Sequence, residues 1–240
     1  MFFLPPRFRY NVAIKQSRRN TYMDETQRTG QSWTQFLIIG ILYGGLLWYQ
    51  YQYVLVKKTT DTAVMIYAGA AVALAIIALA WTHRVPAHQG SATFLASRVY
   101  WPLIGVLIVI AAARFGTAYL HFQSNFPVMP AQRFLRNMTV LDRAIFSTAF
   151  SLVVPLVEQT LFTRLWFNGI WRSRHYAVLA LAILLGGLIQ GALVSPELAI
   201  GTAVAIAVGC FISFLGGITQ NYWAAVVAQA LSNFLLIFIY

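Results

Sequence analysis

The chain alternates long apolar runs with short polar, mostly basic connections. About 20 mostly apolar residues in a helix are needed to cross about 30 Å of hydrocarbon. Seven runs meet that measure closely enough to be predicted as spans: Trp33–Val56, Ala63–Trp81, Val99–Tyr119, Ala144–Trp166, Tyr176–Val194, Leu198–Leu215 and Tyr222–Tyr240. Between them lie Lys57 and Lys58, then His83, Arg84, His88 and Arg98, and then a longer connection with Pro127, Pro130, Arg133, Arg136, Asp142 and Arg143. Arg172, Arg174 and His175 form the next connection, followed by a tight Ser195-Pro196-Glu197 turn. Backbone facing lipid must satisfy its own hydrogen bonds, and these runs are too long and continuously apolar for barrel strands. The pattern therefore predicts an all-α, polytopic transmembrane bundle of about seven spans.

Composition sharpens that reading. Hydrophobic residues make up 59% of the chain and charged residues only 10%, against about a quarter charged in soluble domains. The mean hydropathy is +0.67. The formal charge of +11 sits between the apolar runs, where Lys and Arg set orientation and attract anionic headgroups. Membrane lipids, not nucleic acid, are the partners this distribution implies. Residues 1–32 read as a basic tail; Met1–Leu4 is too short for a signal-peptide core, and no small-residue cleavage site follows. The Lys and Arg bias, carried mainly by this tail, places it on the cytoplasmic side of the cell membrane. With an odd number of spans, the C-terminus then falls outside. The expected organisation is tail 1–32, a three-span scaffold 33–140 and a four-span core 141–240. Cys210 is the single cysteine, so neither a disulfide framework nor a cysteine metal site is available.

Ionisable groups inside a span are costly and mark functional candidates. Arg114 lies near the outward end of its span, where a long side chain can snorkel to the interface. Glu158 is short and about 21 Å deep. It must face a polar cavity, find a cation or hold a proton, and Arg164 on the same helix is the nearer cation. Gln229 and Asn233 share one helix face at i, i+4, and with Glu158 they are expected to line one polar pocket. Gln190 is expected to serve as interhelical glue. All four histidines (His83, His88, His121, His175) fall in loops or at span ends, which leaves too few strong ligands for a catalytic zinc.

Three segments carry a family resemblance. Val154-Pro155-Leu156-Val157-Glu158-Gln159-Thr160-Leu161-Phe162-Thr163-Arg164 resembles the Glu-Glu-x-x-x-Arg motif of the CPBP family, the CAAX-processing and bacteriocin-processing intramembrane proteases. Gly186–Val194 is similar to that family's Phe-x-x-x-His helix. The stretch from Gly216 to Asn233 resembles its closing motif, a short turn and Trp-Ala-Ala start leading into His-x-x-x-Asn. The resemblance covers roughly 141–240. It implies intramembrane cleavage of peptides or prenylated CAAX proteins by a glutamate-activated water, in a family for which metal-dependent and metal-free mechanisms are both proposed. It places Glu158, Gln159, Arg164, Gln229 and Asn233 at catalytic positions and Phe162, Gln190 and Val194 at the substrate pocket.

The departures fall on the reactive groups. Gln159 replaces the second glutamate and cannot act as a base. Thr163 occupies the arginine position, with Arg164 one residue late and about 100° round the helix. Val194 and Gln229 replace the two histidines. Only Glu158 and Asn233 stay in register, although an amide such as Gln229 can still donate to an oxyanion. Loss of a base commonly costs orders of magnitude in rate, so peptidase activity is expected to be weak or lost. No cofactor is expected, since the zinc ligands are missing. The alternatives are a non-catalytic peptide- or lipid-binding scaffold or bacteriocin-immunity protein, and a small proton-coupled transporter using Glu158.

Overall fold

The computed structural model describes residues 30–55, 59–82, 97–124, 135, 138–171, 175–194 and 200–238. The tail up to residue 29, His83, His88 and the Ser195–Glu197 turn lie outside the described residues. Seven helices and no strand occur among the described residues. Helix α1 covers 30–54, closing on a π-helical turn, Gln50–Val54. The others are α2 (Asp61–Thr82), α3 (Ser97–Ser124), α4 (Val140–Ile170), α5 (Tyr176–Val194), α6 (Ile200–Thr219) and α7 (Tyr222–Phe238).

Five helices, α2 to α6, are long and apolar enough to cross a membrane. Helix α7, at 17 residues, is shorter than that measure, and α1 is diluted by Gln35, Gln50, Gln52 and its tyrosines. Helix α4 is the longest of the five at 31 residues, extending the run read from sequence at both ends. At its start, the Thr139 hydroxyl accepts from the Asp142 backbone N–H at 3.1 Å and donates to the Asp142 carboxylate at 2.7 Å. Both bonds hold the first turn, as an N-cap does.

Two apolar clusters organise the bundle. Ile39, Leu46 and Leu47 of α1 pack with Val64, Ala71 and Leu74 of α2 and with Phe146, Val157 and Leu161 of α4. Val99, Leu103 and Ile110 of α3 pack with Val208 and Ile212 of α6 and Ala224 and Ala228 of α7. Helix α7 also lies along α4, so these two helices join the halves. Helices α5 and α6 approach so closely that a Cβ on Gly187 would lie 2.5 Å from the Cys210 Cα, and one on Gly191 would strike the Ile206 backbone. Glycine permits this contact because membrane helices associate through backbone-close packing rather than a hydrophobic drive. Outward-facing Leu37, Ile41, Ile76, Ile108 and Leu184 remain exposed, as side chains destined for lipid.

Candidate functional site

The site is built on irregularities in α4. Its helix widens to a π turn at Ala149–Val153 and again at Thr160–Ile170. Short π segments occur preferentially at functional sites. In the first, the Val154 N–H bonds to the Ala149 carbonyl, five residues back. By the same register the next N–H, at position 155, would bond to Phe150. Residue 155 is proline and has no N–H. The Asn233 side chain of α7 takes its place: Nδ2 donates to the Phe150 carbonyl at 3.0 Å. Asn233 thus completes a backbone ladder that Pro155 interrupts.

From Asn233 a row of amides runs back across α7 to α5. Gln190 Nε2 donates to Gln229 Oε1 at 2.8 Å, and Gln229 Nε2 donates to Asn233 Oδ1 at 3.1 Å. All three side chains are buried. Gln229 and Asn233 share a face, as their i, i+4 spacing requires, and Gln190 joins them.

Glu158 takes its hydrogen bond from a different helix. It is 1% exposed, and its Oε1 accepts a short hydrogen bond from the Tyr43 hydroxyl of α1. Its Oε2 has no hydrogen-bond partner among the described residues. Behind Tyr43, the Tyr67 hydroxyl of α2 donates to Gln50 Oε1 at 2.8 Å. Sequence reasoning treated the first three spans as scaffold and missed Tyr43. The signal was present: Ser32, Gln35, Tyr43 and Gln50 fall on one buried stripe of α1 together with Ile39 and Leu46. Polar residues recurring on a buried stripe of a membrane helix point to partners in the interior.

Two expectations for the cations are corrected. Arg114 does not snorkel; it is 4% exposed and its Nη2 donates to the Ser232 hydroxyl at 3.0 Å. Its depth, well inside α3, lets it meet α7 directly. Arg164 does not turn to Glu158; its guanidinium carbon sits 4.1 Å above the centre of the Tyr222 ring. A planar, weakly hydrated guanidinium suits that stacking. The Tyr222 hydroxyl in turn donates to the Leu156 carbonyl at 3.0 Å, about one helical turn before the second π segment. Gln159 Oε1 accepts from the Thr163 hydroxyl at 2.8 Å, and Gln159 Nε2 has no partner among the described residues. Phe162 is buried against Phe36 of α1, ring centres 6.4 Å apart in a T-shaped contact. Val194 ends α5, and its side chain lies outside the described residues.

The arrangement gathers one carboxyl, several amides and phenols, and two guanidinium groups attached elsewhere. Among the described residues no three His, Cys, Asp or Glu side chains come together. A zinc ion, which needs about three such ligands, does not fit this donor set. Compared with protein-family models, curated proteins and solved structures, the chain gives no match.

Proposed function

We propose that this is a multi-pass membrane protein of the CPBP type that binds but does not cut. In this reading it holds a peptide, lipid or prenylated tail as a scaffold or immunity protein does. Its basic N-terminal tail faces the cytoplasm at the cell membrane and engages anionic lipids. One observation carries the reading. The Asn233 amide, at a position the resemblance makes catalytic, donates to the carbonyl that Pro155 leaves without a partner. Gln229, at a histidine position, is bonded on both sides, to Gln190 and to Asn233. A general base must reach the proton it abstracts, and these amides neither accept protons nor stand free. Glu158 alone keeps the family's acid, and it is bonded to a phenol.

The test is cleavage by purified protein in liposomes, assayed on prenylated CAAX-type and bacteriocin-leader peptides. Wild type is compared with Glu158→Gln and with a combined Gln159→Glu, Val194→His, Gln229→His variant. The reading expects binding without products from wild type and cleavage, if any, from the restored variant only. Cleavage by wild type that Glu158→Gln abolishes overturns it and supports the peptidase activity implied by the resemblance.

A further inference from the structure

Glu158 and its surroundings do more than the binding reading requires. The two oxygens of its carboxyl stand in different conditions: Oε1 is engaged by Tyr43, and Oε2 meets no hydrogen-bonding group among the described residues although the residue is 1% exposed. A buried polar atom without a partner calls for an explanation. Ionisable groups lodged inside membrane bundles commonly mark proton pathways.

The neighbours of this carboxyl are phenols rather than cations. Tyr43 comes from α1 and Tyr67 from α2, and Tyr51 of α1 stands near those two phenols. Tyr67 is itself bonded to Gln50, in the π-helical turn that closes α1. On α4 itself, Arg164 is stacked on Tyr222 of α7, and Arg114 of α3 is bonded to Ser232. The π segments on either side of Glu158, at Ala149–Val153 and Thr160–Ile170, interrupt the α-helical register of the helix that carries it.

We propose that Glu158, paired with Tyr43, is a proton-binding site: it takes up and releases a proton at Oε2 while the folded protein remains in the membrane. The step balances simply, a carboxylate and a proton giving a carboxylic acid, with the Tyr43 bond on Oε1 left in place. This goes beyond the binding reading and does not depend on it, since it needs only the buried Glu158 carboxyl and its bond to Tyr43.

The experiment is infrared difference spectroscopy of the full chain in liposomes, stepped from mildly alkaline to mildly acid pH. A protonated-carboxyl C=O band is expected to grow as the pH falls and to be missing in Glu158→Gln. Tyr43→Phe, which keeps the acid but removes its hydrogen bond, is expected to move that band to higher frequency. If Glu158→Gln fails to assemble, the Tyr43→Phe shift still identifies the carboxyl. The proposal is overturned if no pH-dependent carboxyl band responds to either substitution.

Discussion

The role assigned to Asn233 makes a quantitative prediction, because Pro155 and Asn233 act on the same carbonyl. Asn233→Ala removes its bond to Phe150 and the acceptor for Gln229. Side-chain hydrogen bonds between membrane helices contribute about 1 kcal/mol each, and a buried carbonyl left without a donor costs about 1–3 kcal/mol. The expected loss is therefore about 2–4 kcal/mol. Pro155→Ala restores the backbone N–H that the π register aims at Phe150, so in that background the carbonyl no longer depends on Asn233. The Gln229 contribution is lost in both backgrounds and cancels in a double-mutant cycle. The coupling that remains should be about 1–3 kcal/mol, above the few tenths at which distant sites combine. Reversible unfolding in mixed detergent micelles, followed by tryptophan fluorescence, measures all four variants. Equal costs for Asn233→Ala with and without the proline refute the account.

The packing gives further tests. Gly191→Val puts a side chain into the Ile206 backbone; overpacking of this kind costs about 1–3 kcal/mol, read as a lower melting temperature, whereas Gly40→Val on α1 meets nothing and should be near neutral. Tyr43→Phe removes the hydrogen bond to Glu158 and should cost about 1–3 kcal/mol, measured by the same unfolding assay. Arg164→Gln removes the cation over Tyr222 and is expected to cost about 0.5–2 kcal/mol, with Tyr222→Leu rendering the loss smaller.

Long apolar runs made the helices legible, since span length and lipid exclude most alternatives. The i, i+4 spacing likewise placed Gln229 and Asn233 side by side. What could not be read was which elements meet. Tyr43 lies more than a hundred residues from Glu158 in sequence, and only the fold brings α1 against α4. The part played by Asn233 required knowing that α4 enters a π register at Ala149–Val153 just ahead of Pro155. Arg114 was misread because snorkelling was judged from depth along its own helix. A serine on α7 stood at that depth, and a partner across the bundle decided the outcome. Arg164 turned to an aromatic face rather than to the nearer-seeming carboxyl for the same reason.

The central claim is that the amides at the expected catalytic positions are closed inside the bundle, whereas a peptidase must bring water to them. Cysteine labelling measures this directly: Gln229→Cys and Asn233→Cys, each in a Cys210→Ser background, are treated with a membrane-impermeant maleimide in liposomes opened on both sides. The account predicts negligible labelling at both positions until the protein is unfolded. Rapid labelling of the folded protein at either position, as in a hydrated catalytic cavity, contradicts it.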